Sequence, residues 1–338
     1  MLNGHGDDSY RYNRKITLNF SSNVYHHTSL APLFRHLENC WEQVRSYPEP
    51  SPYAVENKLA QAMGISAESV CLTSGATEAI YLVAQAFSGR RSCILSPTFS
   101  EYADACRLHG HQVQSIYTTD HLPEDVDIVW ICNPNNPTGA VLPHDEMKRL
   151  AAQHPDVLFV IDQSYEDFTL RRLFSPHEAA ALPNVILLHS LTKRFGIPGL
   201  RVGYLTARRE WTARVRQNKM PWSVNTLALE AALFLTEHEK DFRFDLQALL
   251  EERARVARQL EALHIAEVWP GETHYLLARL RMGKASALKD YLAKTHGMLI
   301  RDAGNFEGLD ERYFRIAVQS PEEDDRLLSA IGEWMFSI

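Results

Sequence analysis

Lys193 combines a nucleophilic side chain with a setting that could hold an anion. It ends the stretch Ser190-Leu191-Thr192-Lys193, directly after the apolar run Val185-Ile186-Leu187-Leu188. Arg201 follows eight residues later, inside Pro198-Gly199-Leu200-Arg201-Val202-Gly203-Tyr204. An amine attacks carbonyl groups, while a hydroxyl and a guanidinium donate hydrogen bonds to anions. The same residues also read as a surface lysine opening a loop. Thr73-Ser74-Gly75-Ala76-Thr77-Glu78-Ala79 follows another short apolar run. Gly75, Ala76 and Thr77 would open a helix there, and helix N-terminal N–H groups favour an anion. Asp162 closes the run Leu158-Phe159-Val160-Ile161, with Tyr165 three residues on. Its carboxylate could hold a neighbouring cation or cap a helix.

These residues need a scaffold, and the chain has the means to build one. It has 338 residues, 45% of them hydrophobic, enough for a large core. Runs at residues 70–72, 93–96, 113–117, 128–132, 158–162, 185–189 and 201–206 read as strands separated by helical stretches. Several are continuously apolar, as strands buried on both faces should be. Strands alternating with helices predict a mainly parallel α/β sheet. A long helical stretch is expected over residues 225–263. Strands follow at residues 275–280, 298–301 and 313–318, with a closing helix from Glu322. That pattern predicts a second, smaller α+β domain.

The net charge of −7 argues against nucleic-acid or membrane-surface partners. No apolar stretch approaches the ~20 residues of a membrane span. The polar, acidic N-terminus is unlike a signal peptide, so a cytoplasmic protein is expected. The five cysteines are scattered and form no C-x-x-C, so buried free thiols are expected. There is no H-E-x-x-H, and His26, His27, His109 and His111 read as surface or turn residues; no metal site is expected.

Taken in order, four motifs carry a resemblance: Thr73–Ala79, Asn133-Pro134-Asn135-Asn136-Pro137-Thr138-Gly139, Asp162 with Tyr165, and Ser190 through Arg201. Together they resemble the pyridoxal-phosphate (PLP)-dependent fold-type I aminotransferase superfamily over nearly the whole chain. The resemblance implies a large domain with a mainly parallel seven-stranded sheet flanked by helices, plus a smaller α+β domain. The expected division is an arm (1–39) packing with the small domain, a PLP-binding domain (40–224) and a small domain (225–338). Lys193 would link PLP as a Schiff base, and Asp162 would keep its ring nitrogen protonated. Tyr165 and Asn136 would bond the phenolic oxygen, and Tyr102 would stack on the ring. Gly75, Ala76, Thr77, Ser190 and Arg201 would hold the phosphate, with Glu78 pointing away. Gln163 and Ser164 stand where Glu-Ala is commoner, and neither is expected to touch the cofactor. Tyr47, in Ser46-Tyr47-Pro48, would reach the phosphate of a neighbouring subunit, which implies a homodimer with shared sites.

Within the superfamily the chain resembles histidinol-phosphate aminotransferases and threonine-phosphate decarboxylases. Met220-Pro221-Trp222-Ser223-Val224-Asn225, Leu299-Ile300-Arg301 and Arg312-Tyr313-Phe314-Arg315 favour the decarboxylases, as do Gly4-His5-Gly6 and Phe20-Ser21-Ser22-Asn23. A small phosphorylated amino-acid substrate is therefore expected, bound by His5, Asn23, Asn136, Arg301 and Arg315. Such a decarboxylase makes aminopropanol phosphate for the cobalamin side chain. Tyr25-His26-His27-Thr28 departs from the common Asn-Pro-Leu-Gly and is expected near the substrate pocket.

Overall fold

The computed structural model describes residues 6–335. Seven strands form the large sheet, in the order Val70–Thr73, Gly203–Ala207, Val185–Ser190, Leu158–Asp162, Ile128–Cys132, Arg91–Leu95, Gln112–Ile116. Neighbours run parallel except Gly203–Ala207, which is antiparallel to both strands beside it. All seven predicted runs are strands of this one sheet. Ile128–Cys132 and Leu158–Asp162 are buried at every residue, because apolar clusters cover both sheet faces. That double burial is why these strands read as unbroken apolar runs.

The small domain has a four-stranded antiparallel sheet, ordered Arg301–Asp302, Tyr313–Ala317, Tyr275–Leu280, Ala266–Val268. Its apolar face packs on the Leu246–Ala262, Ala285–Tyr291 and Pro321–Met335 helices. The arm joins it: Leu18–Asn19 pairs in parallel with Met298–Leu299. The strand expected over residues 298–301 is thus two short pieces. One pairs with the arm, and the other, Arg301–Asp302, pairs with Tyr313–Ala317.

Two expectations are revised. The helical stretch at 225–263 is two helices, Thr226–Glu237 and Leu246–Ala262. Each has its own N-cap: Asn225 Oδ1 accepts from the Ala228 N–H at 2.9 Å, and Asp245 Oδ1 from the Ala248 N–H at 3.0 Å. The first packs against the Ala31–Glu38 and Tyr53–Met63 helices, in a cluster holding Leu33, Leu59, Ala228 and Ala231 beside the large sheet. The core therefore divides between Glu237 and Leu246, not at residue 225, and the Ala31–Glu38 helix belongs with the large domain. Phe20, by contrast, enters the small-domain core.

All five cysteines are buried and free. His111 is not a surface residue: its ring bonds Ser92 Oγ at 2.9 Å and the Ala84 carbonyl at 2.8 Å. Among the described residues, no helix is long and apolar enough to cross a membrane.

Candidate active site

A cavity of about 320 Å³ opens beyond the carboxyl ends of the large-sheet strands, against the small domain. Its wall brings together Ala76, Thr77, Tyr102, Asn136, Asp162, Tyr165, Ser190, Lys193, Arg201, Arg301 and Arg315. Ligands of open α/β sheets bind at this end of the strands. The reason is local: each parallel strand delivers its last residue to the rim before the chain turns into a helix, and the antiparallel Gly203–Ala207 brings Arg201 there at its start.

Lys193 sits in the short Leu191–Arg194 helix that follows Val185–Ser190. Its Nζ donates to the Ser22 carbonyl at 3.0 Å, a contact made by the arm. Burial first, then the charges of Arg315 and Arg201, pull its pKa down to about 8; Asp162 and Asp7 oppose them. The amine therefore reaches its nucleophilic, neutral form well below the ordinary lysine range.

Asp162 ends its strand fully inside the site. Oδ2 accepts from the Tyr102 hydroxyl at 2.7 Å and Oδ1 from the Ser164 N–H at 2.8 Å. The Tyr165 ring meets Tyr275 edge-on, centroids 5.0 Å apart. Burial raises its hydroxyl to about 12, against the pull of Arg315.

The anion-holding end lies where the Gly75–Ala86 helix begins. Gly75 has φ +80°, and a Cβ there would stand 2.6 Å from the Arg201 guanidinium. A Cβ on Gly203 would likewise stand 2.6 Å from the Ala76 nitrogen. Both positions need glycine so that guanidinium and helix N-terminus can converge. Arg201 itself holds φ 57°, a left-handed conformation costing a non-glycine residue about 1–3 kcal/mol. Ser190 Oγ bonds Thr192 Oγ1 at 2.8 Å beside it. Glu78 turns back, accepting from the Ser74 N–H and, at 3.3 Å, from Ser223 Oγ.

Opposite, the small domain supplies two buried arginines from adjacent strands, with Arg301 and Arg315 directly paired in register. Arg315 donates to Asn136 Oδ1 and to the Ser21 carbonyl. Arg301 donates to Asn305 Oδ1 at 2.7 Å and lies 5.2 Å from the Phe306 ring centre. Burial, then the charge of Arg315, lowers Arg301 to about 10. Neither arginine pairs with a carboxylate among the described residues.

The class I and II aminotransferase family model matches residues 15–331. The chain belongs to that family. A threonine-phosphate decarboxylase from Salmonella typhimurium is 31% identical, over 93% of this chain and 90% of that one. A histidinol-phosphate aminotransferase from Parabacteroides distasonis is 29% identical, over 87% and 88%. The crystal structure of L-threonine-O-3-phosphate decarboxylase from Porphyromonas gingivalis superposes with a TM-score of 0.91 at 37% identity, covering 94% of this chain and 99% of that one.

The family is PLP-dependent and has the fold-type I architecture seen here. The residues present fit the cofactor. A neutral-tending amine, a buried carboxylate on the cavity wall, and a glycine-walled cradle backed by Arg201 face one space. Lys193 could carry the covalent link and Asp162 the ring nitrogen. Asn136 and Tyr165 could hold the phenolic oxygen, and the 75–77 turn with Ser190 and Arg201 the phosphate.

Of the other predicted site residues, Tyr102 lines the cavity and Asn23 and Tyr47 do not. Tyr102 spends its hydroxyl on Asp162 and lays its ring on Trp130, centroids 5.8 Å apart. Phe99, which sequence reasoning passed over, lines the same cavity. Asn23 does not line it. Its backbone takes a φ of 52°, and the side chain is fully buried beside Tyr165 and His274. Residues 25–28 are not on the cavity wall either, because Tyr25 packs on Phe244 and His27 bonds Glu323 at 2.7 Å. Tyr47 lies outside this cavity, 85% exposed, with its ring 5.2 Å from that of Trp222. Ser164 lines it, while Gln163 is buried. His5 lies outside the described residues. Gly6 and Asp7 line the cavity, so the arm does cover the site. Sequence reasoning also missed Asn305 and Phe306, which carry no local signal.

Proposed function

We propose that this protein decarboxylates threonine O-3-phosphate to 1-aminopropan-2-yl phosphate and CO2, the product class that the family resemblance ties to the cobalamin side chain. The observation that carries the reading is the pair Arg301 and Arg315. Two buried guanidiniums without carboxylate partners among the described residues, side by side in register, suit a substrate with two anionic groups. Threonine phosphate has a carboxylate and a phosphate; histidinol phosphate has only a phosphate, and of the aminotransferase substrates only the keto acid, 2-oxoglutarate, has two anionic groups. The decarboxylase relatives, at 31% and 37% identity, support the same reading.

When bound, PLP supplies an electron sink for the bond pair released at the substrate Cα. Asp162 keeps the ring nitrogen's positive charge favourable. Arg315, with Asn136 behind it, and Arg301 fix the two anions and thereby choose which Cα bond is presented for cleavage. Lys193 returns a proton to Cα after CO2 leaves, so one carboxylate is lost and one C–H bond is made. The arm, through Gly6, Asp7 and Ser22, keeps water from the site.

We also infer a homodimer in which Tyr47 serves the partner's cofactor phosphate. Trp41, Val44, Tyr47, Tyr53, Met220 and Trp222 are all exposed, and the Trp222 N–H bonds the Pro50 carbonyl, so the two segments form one face. A histidinol-phosphate aminotransferase is the second reading, favoured by relatives of that kind at 29% identity. Offering threonine phosphate alone, and separately histidinol phosphate with 2-oxoglutarate, tests the two. The proposal expects product from the first mixture. Product from the second alone would favour the aminotransferase.

A further inference from the structure

Away from the catalytic cavity, three metal-ligand atoms converge where the Ala31–Glu38 helix crosses the Thr226–Glu237 helix. His36 lies in the last turn of the first helix, Cys40 just beyond its end, and Glu230 on the second. His36 Nε2 is 3.2 Å from Glu230 Oε2. Cys40 Sγ is 3.6 Å from that same oxygen and 3.8 Å from His36 Nε2. Zinc bonds of about 2.3 Å to sulfur and about 2.0–2.2 Å to nitrogen and oxygen, at tetrahedral angles, separate the ligand atoms by about 3.3–3.6 Å. The three distances therefore outline one face of a zinc tetrahedron, with the thiol slightly wide.

The donors are held in place before any ion arrives. The His36 ring stacks on Phe234, centroids 4.6 Å apart and planes 22° apart, which fixes its orientation. Cys40 is buried, its Sγ 3.3 Å from the His36 carbonyl. The side chains of His36 and Glu230 remain 31% and 24% exposed, which leaves an approach for an ion and a water. A histidine–carboxylate pair would explain two of these residues as an ordinary surface contact. The Cys40 thiol donates to that same carboxylate oxygen, so three ligand-type groups share one point. Thiolate, imidazole and carboxylate together form a borderline donor set that suits Zn²⁺ and not Mg²⁺ or Ca²⁺.

We propose that His36, Cys40 and Glu230 bind a zinc ion through Nε2, Sγ and a carboxylate oxygen, with water as the fourth ligand. The thiol releases its proton to solvent on binding. None of the three residues lines the catalytic cavity, so the ion acts as a clip between two helices. The clipped helix begins at Asn225, whose Nδ2 also donates to the Leu200 carbonyl at 3.0 Å, one residue before Arg201. The clip thus secures the back of the anion cradle.

The test is a Co²⁺ titration, followed by Zn²⁺, of the PLP-loaded protein after chelator treatment in a thiol-free reductant. The expected result is one equivalent of Co²⁺ with a thiolate charge-transfer band and visible bands of tetrahedral intensity, displaced by one equivalent of Zn²⁺. Cys40→Ser should abolish the charge-transfer band, and Glu230→Gln should weaken Zn²⁺ binding by about tenfold or more. Wild-type protein that takes up no stoichiometric Zn²⁺ overturns the proposal, whether or not the variants fold. So does a charge-transfer band that survives in Cys40→Ser.

Discussion

The charges around Lys193 decide when its amine can react. Its pKa is near 8 because burial and two nearby arginines disfavour the ammonium form. Below that pH the amine is protonated; above it, the amine is free to capture the cofactor. Reconstitution of cofactor-free protein with PLP should therefore speed up with pH around a midpoint near 8, not near the ordinary lysine value. Arg315→Gln removes a charge that repels the ammonium, so the pKa must rise and the midpoint move to higher pH. Stopped-flow absorbance reads both; an unmoved midpoint would separate Arg315 from the lysine. Asp162→Ala should still be labelled at Lys193 by borohydride in the presence of PLP, but lose turnover by about 10²-fold or more. Turnover near wild type would remove Asp162 from the chemistry. Lys193, Asp162 and Arg201 were legible because each has a distinctive side chain fixed to the end of an apolar run. The setting of Asn23 could not be read, because it depends on a left-handed backbone no local pattern announces. Tyr102 reaches the expected wall, but its bond to Asp162 could not be read, since that partner comes from a distant strand, Leu158–Asp162.

At the scale of elements, the arm is the part that most needs tying down. Lys289 Nζ meets Asp8 Oδ2 at 2.6 Å, both side chains nearly buried, and Tyr12 Oη donates to Asp290 at 2.9 Å. This pair anchors the arm two residues from Gly6 and next to Asp7, which line the cavity. Asp8→Ala leaves a buried ammonium unpaired, a loss of about 3–5 kcal/mol for the anchored state. The arm should lift, raising KM for threonine phosphate by about tenfold while PLP affinity holds, with an arm contact of about 1.5–3 kcal/mol lost from the substrate's anions. Adding Lys289→Met should restore thermal stability but not KM. An unchanged KM in Asp8→Ala would show that the arm contributes nothing to substrate binding. The seven sheet strands could be read from sequence because double burial makes them continuously apolar. The break after Glu237 could not, because the Asp245 cap that restarts the helix was overlooked.

At the scale of the whole molecule, the exposed aromatic face around Tyr47 and Trp222 should be covered by a second copy. Sedimentation should show a dimer, and mixing Tyr47→Phe with Lys193→Ala protomers should recover part of the lost activity, because one site per heterodimer escapes both lesions. A fully active monomer would contradict shared sites. The central claim, that Arg301 and Arg315 hold a doubly anionic substrate so that its carboxylate is lost, has a direct measurement. Carboxyl-labelled threonine phosphate is turned over in D2O without any keto acid. Labelled CO2 and product amine should form in equal amounts, with a single deuterium at the former Cα. A reaction that waits for a keto acid and keeps the carboxyl label in the product would contradict it.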